Sequence, residues 1–138
     1  MKEALLKVEA QINGPIEKVW LYWIEPTHIM KWNNASDDWH TTKAENDLRV
    51  SGKFLSRMEA KDGSFGFDFC GVYDEVIKNE RIAYVMEDGR IAKIDFKSNG
   101  TTTNVVEYFE AETENSHELQ LAGWQSILDN FKKYVEAN

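Results

Sequence analysis

The sequence predicts an α+β domain in which a meander of antiparallel strands is covered by one long C-terminal helix, with two short helices after the first strand. Three observations carry this reading. From Trp39 to Ala111 apolar residues alternate with polar ones, and the alternation is punctuated by the turn sequences KDG, EDG and SNG. From Asn115 onward the apolar residues recur at i, i+3, i+4 and i+7. The 138 residues contain no internal repeat, linker or low-complexity tract, so residues 1–138 read as one domain.

The first strand is predicted over Ala4 to Ile12, where Leu6, Val8, Ala10 and Ile12 share one face and Lys7, Glu9 and Gln11 the other. It ends at Asn13-Gly14-Pro15. Ile16, Val19, Trp20 and Trp23 then follow helical spacing, with Pro15 suited to the first turn, and a second short helix follows Pro26. Six strands come next: WHTTKA, KFLSRME, FGFDFCGVYDEV, RIAYVME, RIAKIDF and TTNVVEYFEA. Their period of two puts Phe54, Ser56 and Met58 on one face, and likewise Ile82, Tyr84 and Met86, Ala92, Ile94 and Phe96, and Val105, Glu107 and Phe109. These faces are expected to turn toward the long helix. Phe67 and Phe69 are expected to join them, although a bulge at Gly71 would reverse the register. Asp68 then falls on the outer face opposite a basic neighbour, and Cys70 reads as a small buried apolar residue.

The last helix is predicted over Asn115 to Glu136, with Asn115 and Ser116 available as caps and Trp124, Ile127, Leu128 and Phe131 facing the sheet. Gly123 is unexpected inside a helix, where it costs about 1 kcal/mol, and close approach of helix and sheet is the predicted reason. Trp124 then either fills the core or lines a cavity.

Charge and composition narrow the function. A formal net charge of -8 argues against non-specific nucleic-acid binding and against attachment to an anionic bilayer, since both need clustered Lys and Arg. The N-terminal MKEALLKVEAQ lacks the apolar core of a signal peptide, and no segment has the roughly 20 apolar residues of a membrane span. A cytoplasmic protein is expected. The single Cys70 allows no internal disulfide and no thiolate zinc cluster. His28, His40 and His117 belong to no metal-ligand pattern, and there is no GxSxG, P-loop or GxGxxG, so neither metal nor cofactor is expected.

One polar residue stands out. Glu107 lies between Val105 and Phe109 at strand spacing, which places its carboxyl either in apolar surroundings or at the open rim of the sheet. With Tyr84 or Tyr108 it forms the one acid-base set the sequence offers.

The order of elements, together with IEKVW (Ile16 to Trp20), Trp32, DLRVSGKF (Asp47 to Phe54), the Gly71-Val72-Tyr73 run with Glu75-Val76, RIAY (Arg81 to Tyr84), Gly100-Thr101 and GWQSILDNF (Gly123 to Phe131), resembles the family named after the ATPase activator of the 90-kDa heat-shock chaperone. That family lies within the START and Bet v 1-like (SRPBCC) superfamily of helix-grip folds. Ser51-Gly52 stands where the family more often has two glycines, and Ser51 is small enough to serve. The resemblance implies a curved sheet that stands off the long helix and leaves a pocket. The expected ligand is a small apolar or aromatic molecule. The candidate lining is Trp32, Phe54, Met58, Phe69, Tyr84, Met86, Phe96, Glu107, Phe109, Trp124 and Leu128. Two other functions follow from the resemblance: a co-chaperone or stress-related interaction module, here without the additional N-terminal domain of the eukaryotic activators, and a cyclase- or hydrolase-like enzyme using polar cavity residues. No catalytic residue is assigned. A monomer or weak dimer is expected, with a small hydrophobic molecule or a chaperone as partner, and no nucleic acid or membrane.

Overall fold

The computed structural model describes residues 5–138; Met1 to Ala4, including the predicted start of the first strand, lie outside the described residues. Alternating apolar residues form β1 (Leu5–Asn13), after which come α1 (Ile16–Ile24) and α2 (Pro26–Trp32). The meander is β2 (Trp39–Asn46), β3 (Lys53–Ala60), β4 (Gly66–Ile77), β5 (Arg81–Met86), β6 (Ile91–Ser98) and β7 (Thr102–Glu110), and the chain closes with α3 (His117–Ala137). The seven strands form one antiparallel sheet in the order β1-β7-β6-β5-β4-β3-β2, curled around α3 as a half-barrel.

Local chemistry sets the boundaries. The KDG, EDG and SNG turns each place their glycine at positive φ, where a side chain would be strained. A further tight turn, after β4, puts Asn79 at φ +64°, a conformation Asn tolerates better than most residues. Pro15 precedes α1 instead of opening it, and its carbonyl accepts from the amides of Lys18 and Val19. Ser116, and not Asn115, caps α3: its hydroxyl accepts from the Leu119 amide at 3.1 Å, a contact worth about 1 kcal/mol. Buried Gln120 ties the preceding loop to the helix, donating to the carbonyls of Glu112 and Asn115 and accepting from the Glu112 amide.

The inner face is the one that period two predicts, with two interruptions. Register shifts fall between Thr41 and Lys43 in β2 and between Tyr73 and Glu75 in β4, so the β4 bulge is at Asp74 and not at Gly71. Phe67, Phe69, Gly71 and Tyr73 therefore stay on one face. Gly71 has a different purpose: a Cβ there would meet the Val85 carbonyl at 2.5 Å and the Phe54 ring at 2.9 Å, so its bare backbone leaves room for that ring. On the outer face Asp68 pairs with Arg57 at 3.4 Å. Cys70 is also on the outer face, half-buried, with its thiol donating to the Glu87 carboxylate at 3.4 Å; alternation with Phe69 turns it away from the core.

The core sits to one side. α3 lies across β1, burying Phe131, Leu128 and Val135 with Val8, Ile12, Val19, Val105 and Phe109. Phe131 meets Trp23 and Trp32 edge-on, each at 4.8 Å between centroids, which joins α1, α2 and α3. One straight helix cannot cover a curled seven-stranded sheet, and β3, β4 and β5 are left uncovered by it. Gly123 does not bring helix and sheet together: a Cβ at this position would meet nothing within 4 Å. Among the described residues no helix is long and apolar enough to cross a membrane.

Candidate ligand cavity

The uncovered part of the inner face bounds a cavity of about 460 Å³. β3, β4 and β5 supply its floor with Phe54, Met58, Phe69, Tyr73 and Tyr84; α1 and α2 supply Trp23, Ile29 and Trp32; α3 closes it with Trp124 and Ile127. The walls are mainly apolar, and their aromatic rings are locked to one another. Phe54 packs edge-on against Tyr84 at 4.7 Å and lies 5.3 Å from Tyr73 and 5.6 Å from Phe69. The Tyr73 hydroxyl donates to the Asn46 side chain, which in turn donates to the Ile24 carbonyl, so β4, β2 and α1 are held at one side of the cavity. The Trp32 indole donates to the Tyr22 carbonyl at 2.9 Å, and Asn130 of α3 donates to the Trp32 carbonyl at 2.8 Å.

Of the residues singled out from the sequence, Trp32, Phe54, Met58, Phe69, Tyr84, Glu107 and Trp124 border this space. Four others do not. Phe96 is held in edge-on contacts beneath Trp20 and Trp23; Phe109 lies fully buried under the Trp124 indole; Leu128 is fully buried in the core beneath α3. Met86, also buried, borders a smaller recess at the ends of β4 and β5. Met86, Phe96 and Phe109 share the inner face of the sheet and Leu128 faces it from α3, but none of the four reaches the main cavity. Residues absent from the sequence-derived set also line the cavity, among them Trp23, Ile29, Trp39, Tyr73 and Arg90. Tyr73 was accessible to sequence reasoning, because it continues the alternation through Phe69; Trp23 and Ile29 come from helices whose orientation no strand pattern specifies.

Glu107 is the polar feature of the site. Its side chain is 5% exposed and faces the cavity from β7, flanked in register by Val8 of β1 and Ile94 of β6. It is buried and not at a rim. Burial pushes its carboxyl up to about 8, and among the described residues no hydrogen bond or counter-charge offsets the desolvation. The buried Tyr84 phenol is likewise raised, first by desolvation and then by the nearby Glu107 charge. Arg90 contributes the cationic side chain of the lining, and its guanidinium is engaged by Asp88 at 2.7 Å and by the Glu110 carbonyl at 3.1 Å. Tyr108 lies on the opposite face from Glu107, with Lys93 over its ring, and cannot join it. Among the described residues no group of three His, Cys, Asp or Glu side chains is arranged to hold a metal ion.

This architecture has close counterparts. The solution structure of an AHSA1-like protein from Aeromonas hydrophila superposes with a TM-score of 0.92 at 49% identity, covering 97% of this chain and 93% of that one. A Cytophaga hutchinsonii protein, also solved in solution, is 53% identical with a TM-score of 0.82, over 96% of this chain and 92% of its own. A crystal structure from Chromobacterium violaceum shares the fold at 22% identity, with a TM-score of 0.85 and coverage of 97% and 98%. A search of the curated proteins finds no match. The family described as Activator of Hsp90 ATPase homolog 1-like protein matches residues 13–136. With nearly the whole length matched and the helix-grip architecture in place, the chain belongs to this family, within the SRPBCC superfamily.

Proposed function

We propose that the chain is a binding module for a small apolar or aromatic molecule held between the sheet and α3. The observation that carries this is the cavity itself: about 460 Å³, with predominantly apolar walls rich in aromatic rings and a smaller set of polar groups. Ligand pockets have this character, since enclosure by apolar surface supplies affinity while sparse polar groups set orientation. The volume lies in the range of about 300 to 1,000 Å³ common to such sites.

Titration of isotope-labelled protein with a panel of lipids, aromatic acids and polycyclic aromatics tests the reading. The Trp124 and Trp32 indole signals are expected to move together with Phe54 and Tyr84, because those side chains surround the space. A panel that leaves all of them unmoved would remove the support. A second reading, contact with a protein partner such as a chaperone, is favoured by the cluster of Trp39, Phe65 and Phe67, where Phe65 is 62% and Phe67 40% exposed. Titration with a purified chaperone of the 90-kDa class would then broaden the signals of Phe65, which lies outside the cavity, and leave those of Tyr84 and Trp124 in place.

A further inference from the structure

Glu107 is poorly explained by apolar binding alone. A ligand held only by ring contacts needs no carboxyl, and Leu or Gln at this position would avoid the desolvation of an acid with no partner. The neighbouring groups do not supply one. Val8 and Ile94 flank it in the sheet, α3 faces the cavity with Trp124 and Ile127, and α1 and α2 face it with Trp23, Ile29 and Trp32. Tyr84 from β5 is a neutral phenol, and Tyr73 is already bonded to Asn46. Arg90 is committed to Asp88 and the Glu110 carbonyl, and Glu45, also bordering the cavity, pairs with Lys43 at 3.3 Å. Once Glu107 ionises, the cavity presents one carboxylate without a counter-charge among the described residues.

We propose that the molecule taken by the cavity is a hydrophobic amine, its ammonium seated on the Glu107 carboxylate and its apolar body among the rings of Phe54, Phe69, Tyr84 and Trp124. This rests on the binding reading above and specifies the ligand's chemistry. Two further features suit a cation. Aromatic faces attract positive charge through the ring quadrupole, most strongly where water is excluded. The net charge of -8 raises the local concentration of organic cations over that of anions. A neutral carbonyl compound is the competing chemistry, because a protonated Glu107 and the Tyr84 hydroxyl could both donate to an acceptor oxygen.

The two chemistries differ in proton balance. With the Glu107 carboxyl raised to about 8, the empty protein carries mostly the protonated form at pH 7. An ammonium drives that proton into solvent, whereas a carbonyl oxygen retains it.

The experiment is calorimetry at pH 7 with 2-naphthylmethylamine and, as its uncharged analogue, 2-naphthylmethanol, each in two buffers of different ionisation enthalpy. The amine is expected to bind at least ~10-fold more tightly and to release close to one proton, while the alcohol releases none. The variant Glu107→Gln, nearly isosteric and uncharged, is expected to abolish the preference for the amine over the alcohol and the proton release that accompanies it. Proton release by the unmodified protein tests the same point without any variant. Equal affinity for both probes, or amine binding without proton release, overturns the amine inference and leaves the cavity reading standing. Failure of both probes to bind also overturns it, and the wider panel then decides the cavity reading separately.

Discussion

The indole of Trp124 lies flat on the ring of Phe109, with centroids 4.0 Å apart and planes within 4° of parallel. Phe109 is thereby sealed at 0% exposure, while the other face of the indole borders the cavity. Trp124 is at once the edge of the core and the wall of the site. Truncation to Ala is expected to cost about 2 to 3 kcal/mol, below the about 3 to 5 kcal/mol of a fully packed tryptophan, because part of the ring borders the cavity instead of packed side chains. Urea denaturation measures this, and a loss under about 1 kcal/mol would show that the stacking holds nothing in place.

Glu107 makes the fold sensitive to alkali in an unusual direction. Its folded carboxyl is raised to about 8 from the ordinary 4.5, so the folded state holds the proton more tightly than the unfolded chain does. The sign follows: Glu107 is harmless below about pH 4.5, and stability is lost progressively between there and about pH 8. Glu107→Gln removes the dependence. The variant is expected to match the natural protein near pH 4.5 and to exceed it by several kcal/mol at pH 8, at about 1.4 kcal/mol per pH unit of the window. Parallel stability curves for the two proteins across this range would contradict the assignment.

Strand faces and α3 were legible because each obeys one short period over a long run. The direction of Met58, Tyr84 or Phe109 follows from counting by two, and that of Trp124 or Leu128 from helical spacing. The cavity was only partly legible, since its bounds depend on which half of the inner face α3 covers. Phe96 and Phe69 are equivalent in pattern, yet Trp20 and Trp23 cover the first and leave the second open. Glu107 was ambiguous for the same reason: alternation gives a face, whereas burial depends on the elements above it. Arg90 carries no such signal, because it reaches the site from a turn that obeys neither period.

The loop between β2 and β3 shows how a backbone angle can matter more than size. Ser51 has φ +69°, a left-handed conformation that disfavours any side chain and that glycine adopts without strain. Ser51→Gly is expected to stabilise the protein by about 0.5 to 1 kcal/mol, the relieved strain exceeding the added freedom of the unfolded glycine. At Gly52 the limit is space, since a Cβ would come within 2.0 Å of the Asp47 carbonyl. The same loop pairs with the backbone of Tyr73 through Ser51 and Gly52. Gly52→Ala should therefore lower the melting temperature and also shift the signals of Tyr73. A neutral effect there would mean that the loop is free to move aside.

Gly123 gives the cleanest test of how α3 sits. If the helix needed a glycine to approach the sheet, a methyl group would collide and the protein would lose stability. The geometry says otherwise, because nothing lies within 4 Å of the position a Cβ would take. What remains is the ordinary penalty of glycine inside a helix, about 0.5 to 1 kcal/mol relative to alanine. Gly123→Ala is therefore expected to stabilise the protein by that amount, measured as a higher denaturation midpoint at unchanged slope. A lower midpoint would mean that α3 approaches its neighbours more closely in solution, and the cavity bounded by Trp124 and Ile127 would then be smaller than 460 Å³.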